Sequence, residues 1–214
     1  KLGEDFCAFI DDLHSDIIPE QYKKFIGIHG DINSISSKER GTKLHHFIEL
    51  YVKNGMSREG IDTESNNVLS YCFELLDGIP RCCDILPEHS LKFKLNGQFV
   101  NGICDLIIID KVKLTAEIWD FKTGYRSDTN LVQYEKQLEL YAVGLFDVLE
   151  EFFTVNIKII FIDEKDIFEK KISRSMLPRI KQEVFRLVSS PWVKNDANCK
   201  YCEFEKICLT KLVK

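Results

Sequence analysis

Asp120 and Lys122 stand two residues apart in the β-prone stretch Leu114 to Lys122. On a strand, that spacing sends both side chains out of one face and Phe121 out of the other, which sets an acid beside a base. A second carboxylate, Asp105, interrupts the apolar run GICDLIII. Centring the intervening turn on Val112 and Lys113 places Asp105 opposite Asp120. Facing carboxylates repel one another unless a cation lies between them, and oxygen ligands of this kind suit Mg²⁺ or Mn²⁺. Beside such an ion, Lys122 can orient or help deprotonate an attacking water, or stabilise negative charge developing on a phosphate. The bland alternative is a surface ion pair at a sheet edge, with Asp105 an edge residue. D-x-K alone says little, but charges placed inside apolar runs need a reason.

Three further clusters carry chemistry. His45 and Glu49 are spaced i, i+4, on one side of a helix and offset from its apolar stripe, with His46 the competing histidine. Gln137 and Tyr141 repeat that spacing on a later helix, and an amide with a phenol can bind phosphate or stack on a base. Near the end, Cys199-x-x-Cys202-x5-Cys208 supplies three thiolates in a polar, aromatic-flanked setting. Three such ligands imply a fourth from elsewhere, for Zn²⁺ or an iron-sulfur cluster. Cys72, Cys82, Cys83 and Cys104 lie in apolar or mixed surroundings and read as small buried hydrophobes.

These residues need elements to hold them. Residues 36 to 53 read as a helix: Ser36 and Glu39 form a capping-box pattern, and Leu44, Phe47, Ile48, Tyr51 and Val52 share one face. A second helix is expected around Ser65 to Leu76, ending before Gly78 and Pro80. From Ser90 the period changes to two, running to the hairpin signal Asn96-Gly97. Strands follow over Phe99 to Asp110 and Leu114 to Lys122, which should pair antiparallel. Asn130 to Leu149 reads as a helix, Val155 to Ile162 as a buried strand, and Ser175 to Leu187 as a closing helix with Pro178 in its first turn. The order helix, helix, three-stranded meander, helix, strand, helix describes an α/β (α+β) fold with a mixed central sheet flanked by helices.

The 214 residues contain 44% hydrophobic residues, enough for a core, and no repeat or linker divides them. A single domain over 1–214 is expected, with 190–214 a C-terminal cysteine-cluster segment. No apolar run approaches the roughly 18 residues of a membrane span, so a soluble, intracellular protein is expected. The net charge of −5 argues mildly against a nucleic-acid partner. A site that holds divalent cations must collect carboxylates, however, and the bound ions restore positive potential locally.

Taken in order, GTKLHHFIE (41–49), GICD (102–105), WDFKTG (119–124) and QLELY (137–141) resemble the RecB-like branch of the PD-(D/E)xK nucleases, which includes the AddB nuclease domain and CRISPR-associated exonucleases. The resemblance implies a restriction-endonuclease-like core. It implies that His45, Asp105, Asp120 and the Phe121 carbonyl bind metal, that Lys122 is catalytic, and that Gln137 and Tyr141 contact substrate. It also implies a [4Fe-4S] cluster, with Zn²⁺ the alternative, on Cys199, Cys202, Cys208 and a thiol upstream of the histidine helix. Cys7 is the one cysteine there, with Cys72 and Cys82 as alternatives.

The expected function is Mg²⁺- or Mn²⁺-dependent hydrolysis of DNA, exonucleolytic on single-stranded ends, in repair, recombination or replication, with a helicase or other DNA-processing subunit as the expected partner. Two rivals stand beside it. One is an inactive nuclease fold acting as a nucleic-acid-binding subunit of a helicase complex. The other is a viral-type RNA endonuclease, against which the Q-x-x-x-Y pattern and the terminal cysteines speak.

Overall fold

The structure, a computed structural model, describes residues 36–95 and 97–189. Helix α1 (Ser37–Lys53) starts where the sequence places it: the Ser36 side chain accepts the Glu39 N–H while Glu39 reaches back to the Ser36 N–H. Helix α2 (Thr63–Asp77) is capped by Asp62. Strands β1 (Asp84–Leu95), β2 (Gln98–Asp110) and β3 (Thr115–Lys122) form the expected meander. Helix α3 (Asp128–Val148) then crosses to β4 (Thr154–Phe161), which pairs parallel with β3. Such a parallel pairing requires a long crossover, and α3 supplies it. Strand β5 (Asp166–Ser173) pairs antiparallel with β4, and a short 3-10 turn leads into α4 (Leu177–Ser189).

The five strands form one mixed sheet in the order β1-β2-β3-β4-β5. One face is covered by α3 and α4, where Leu138, Ala142, Val143, Phe146 and Ile180 join Ile107, Ile109, Ile118, Ile157 and Ile159. The other is covered by α1 and α2, where Leu44, Ile48, Leu69, Phe73 and Leu76 join Leu106, Ile108, Trp119, Phe121 and Ile160. Because both faces are buried there, Leu106–Ile109 of β2 reads as a continuous apolar run instead of alternating.

Two features differ from the sequence-based expectation. Strand β1 begins at Asp84, well before Ser90, because it is an edge strand and an edge tolerates Pro87. Strand β5 was not expected at all. It is the opposite edge, and its charged residues Glu169, Lys170 and Lys171 hide its alternation. Cys7, Cys199, Cys202 and Cys208 lie outside the described residues. Among those described, no helix is long and apolar enough to cross a membrane.

Candidate active site

The β2–β3 ladder runs from Asp110↔Thr115 to Leu106↔Trp119 and stops. Its register is the one set by a turn at Val112 and Lys113, and one more rung would have joined Asp105 to Asp120. Where β2 departs, the main-chain groups of Phe121 have no β2 partner, and buried backbone groups must find one. Side chains supply it. Asp105 Oδ2 accepts the Phe121 N–H at 2.8 Å, and His45 Nε2 lies 2.7 Å from the Phe121 carbonyl oxygen. A carbonyl only accepts, so His45 donates from Nε2, and its Nδ1 lies 3.5 Å from Asp105 Oδ2.

β1 and β2 bend together at this point. Glu88 sits across from Asp105, between the pairs Pro87↔Leu106 and His89↔Cys104, with a φ of 48°. A residue with a Cβ pays on the order of 1–2 kcal/mol for that left-handed conformation. The alternation also slips: Cys104 faces the α3 layer, whereas Leu106, two residues on, faces the α1–α2 layer. The bend delivers Glu88 and Asp105 to one point. There His45, Glu88 and Asp105 each offer a ligand atom within 4.8 Å of the others. Beside them opens a cavity of about 280 Å³ lined by Gly41, Thr42, His45, His46, Glu49 and Glu88.

The charges are held at a cost. Burial alone would disfavour protonated His45, but Asp105, Glu88 and Asp120 outweigh it and raise its pKa to about 9. Burial and the neighbouring Asp105 carboxylate push Glu88 up to about 7 and Asp120 to about 6. Three ionisable groups thus hold protons above their ordinary range, Glu88 and Asp120 chiefly through burial and all three because negative charge is crowded there. A divalent cation would relieve the same crowding. The donor set, two carboxylates, an imidazole and a carbonyl, suits Mg²⁺ or Mn²⁺.

Asp120 and Lys122 occupy the α3 side of β3, and the Phe121 side chain is buried on the other, as their spacing predicts. Lys122 Nζ is 2.7 Å from Asp120 Oδ2 and 4.7 Å from the centroid of the Tyr134 ring on α3. Burial opposes the charge on Lys122, yet Asp120 and Asp105 more than compensate and raise its pKa. His46 instead turns toward Glu49, 3.7 Å from Oε2, and is more exposed than His45.

Several contacts fix the surroundings. Gln137 Nε2 donates to the Tyr141 hydroxyl at 3.1 Å. The Tyr141 ring packs against Gly102, where a Cβ would come within 2.3 Å of Cε1. The first residue of GICD therefore has a packing reason to lack a side chain. Gly41 similarly lets α1 approach Thr123, with room for a Cβ only at 3.2 Å from its hydroxyl. Asp163 ties the loop after Lys122 to α1, binding the Arg40 guanidinium through both oxygens and accepting the Gly124 N–H.

Sequence reasoning brought His45, Asp105, Asp120 and Lys122 together and missed Glu88. Its signal was present, because extending the hairpin through Asn96-Gly97 sets Glu88 opposite Asp105. The run DILPEH shows no strand alternation, so the sequence does not mark it as a continuation of the hairpin.

A family model described as the PD-(D/E)XK nuclease superfamily matches residues 74–209. A solved structure, "Crystal structure of SSO0001", matches with a TM-score of 0.38 and 20% identity over 92% of this chain and 98% of that one. No curated protein matches the sequence.

Proposed function

The chain belongs to the PD-(D/E)XK nuclease superfamily, and from that premise we propose that it is a Mg²⁺- or Mn²⁺-dependent deoxyribonuclease acting exonucleolytically on single-stranded ends. One observation carries the reading most: His45, Glu88 and Asp105 converge within 4.8 Å of one another, next to the Asp120–Lys122 pair. A divalent ion held there would supply an acidified water and neutralise charge on the phosphate. The chain's own groups do the rest. Glu88, Asp105 and His45 gather on the α1 side of the sheet and, with the Phe121 carbonyl, would hold the ion, whereas Asp120, the further ligand that the resemblance implies, falls outside that group of three. Lys122, held by Asp120 and backed by Tyr134, presents an ammonium to developing phosphate charge or to the attacking water. Gln137 and Tyr141 stand on α3 beside the bend, where they would meet the substrate backbone.

The test is a digestion series on 5′- and 3′-end-labelled single- and double-stranded DNA, and on RNA, with Mg²⁺, Mn²⁺ or EDTA. Metal-dependent shortening of single-stranded DNA, lost in Lys122→Ala, supports the proposal. Cleavage that survives the substitution, or is absent from the parent, overturns it, and preferential cleavage of RNA favours the ribonuclease rival.

The second part of the proposal is a [4Fe-4S] cluster on Cys199, Cys202, Cys208 and Cys7, supported by the C-x-x-C-x5-C spacing. Its function would be to staple the C-terminal segment to the N-terminal one. Anaerobically purified protein should be brown, with iron by elemental analysis. Colourless protein with stoichiometric zinc would leave Zn²⁺ in that site.

A further inference from the structure

Beyond the bend at Glu88, the β1–β2 hairpin continues as an arm. Its α3-side residues are buried: Leu91, Phe93, Leu95 and Cys104. Its other side is not. Lys92, Lys94, Phe99, Asn101 and Ile103 are all exposed, Phe99 at 81% and Ile103 at 52%. Before the bend, the same side of β2 carries Leu106 and Ile108 under α1 and α2. Among the described residues, no element takes over that cover on the arm.

The register groups these side chains. Ser90 pairs with Ile103, Lys92 with Asn101 and Lys94 with Phe99, so all six leave one face. Glu88 and Asp105 are the next pair in that series, which makes the face continuous with the metal-ligand cluster. At about 3.3 Å per residue, Phe99 lies roughly 20 Å along β2 from Asp105. Lys94 Nζ is 4.8 Å from the Phe99 ring centroid, which puts a cation and an aromatic surface at one place.

This arrangement fits a particular ligand. Lysines match phosphates and raise the positive charge of a face whose base is acidic. An exposed phenyl ring and an isoleucine offer apolar surface that paired bases cannot reach, since a duplex hides its base faces in the stack. Building on the nuclease reading above, we propose that the open face of the β1–β2 arm is the track by which a single DNA strand reaches the active site. Unpaired bases stack on Phe99 and pack on Ile103, while Lys92 and Lys94 hold the phosphates.

The test measures binding and chemistry separately. Fluorescence anisotropy with a labelled oligothymidylate, and with a duplex of equal length, is run in Ca²⁺ for the parent, for Phe99→Ala and for Lys92→Gln combined with Lys94→Gln. Hydrolysis of thymidine 5′-p-nitrophenyl phosphate, too small to reach the arm, is followed in Mn²⁺. Phe99→Ala should weaken oligothymidylate binding roughly five-fold or more and leave duplex binding unchanged. The lysine pair should lower the salt dependence of single-strand binding by about 1.4 in slope, about 0.7 per phosphate contact. Hydrolysis of the small ester should not change in either variant. Unchanged oligothymidylate binding in both variants overturns the track, even if the parent digests DNA. Equal weakening of duplex and single strand by Phe99→Ala overturns its single-strand assignment. If the parent hydrolyses neither substrate while binding still depends on Phe99, the nuclease reading fails and the track stands as a binding surface.

Discussion

Glu88 lies across the β1–β2 hairpin from Asp105, at the position where the strands bend and where Glu88 takes up a left-handed backbone. A strained residue with a half-buried carboxylate, facing another carboxylate, is costly in every respect except as a cation ligand. Loss of even a supporting group around a metal costs roughly 10- to 100-fold in affinity. Glu88→Gln removes a direct donor while keeping its shape, so Mn²⁺ affinity measured by calorimetry should fall at least that far. Affinity equal to the parent's would remove Glu88 from the site.

Asp105 serves two partners, the Phe121 N–H and the cluster around His45. The two roles can be separated. In Asp105→Asn the amide oxygen can still accept from Phe121, whereas Asp105→Ala leaves that N–H unpaired at a cost of about 1–3 kcal/mol. Urea denaturation without metal should therefore find the alanine variant less stable than the asparagine variant by about that amount, with metal-dependent activity lost in both. Equal stability of the two would show that the hydrogen bond contributes nothing.

The crowded acids also set a pH dependence. Glu88 and Asp120 have folded-state pKa values of about 7 and about 6, above their ordinary values of 4.5 and 3.8. Raised values mean that the folded chain holds protons the unfolded chain has released. Their contribution is complete below the ordinary values and is lost as pH rises through about 6 and 7. The metal-free melting temperature should therefore decline as pH rises from the ordinary values of 3.8 and 4.5 to the folded values of about 6 and about 7, and saturating Mn²⁺ should flatten the decline, because the ion replaces the protons. The apparent affinity for Mn²⁺ should rise over the same range. A decline as steep in Glu88→Gln as in the parent would assign the effect to other groups.

How far the site was legible in the sequence follows from range. The cap of α1, the turn at Val112 and Lys113, and the shared face of Asp120 and Lys122 depend on neighbours in the chain. The Asp105–Asp120 register followed from that turn. What the turn could not reveal is that the ladder stops one rung short, which frees Phe121 for His45 and Asp105. His45 itself had only a helix position and a resemblance behind it, because its partner is a main-chain carbonyl distant in sequence. Glu88 was hidden by an edge strand whose Pro87 and lack of alternation resemble a loop. Strand β5 was hidden likewise, by the charge its edge position tolerates.

Gly102 offers a test of the packing that holds the arm. Its missing side chain lets the Tyr141 ring lie against β2, and a Cβ there would sit 2.3 Å from Cε1 and 2.9 Å from Cζ. The ring is confined by Gln137 and by its position on α3, so it must shift or β2 must. Overpacking of this kind costs typically about 1–3 kcal/mol, and Gly102→Ala should lose that much in urea denaturation. Tyr141→Ala alone destabilises by leaving a cavity, yet combined with Gly102→Ala it removes the clash. The double variant should therefore be more stable than the sum of the two single losses implies, a coupling of about 0.5–3 kcal/mol in a double-mutant cycle. Strict additivity would mean that Gly102 is not held by Tyr141. The cause would then lie in the β2 backbone, and Gly102→Ala would be as damaging with Tyr141 absent as with it present.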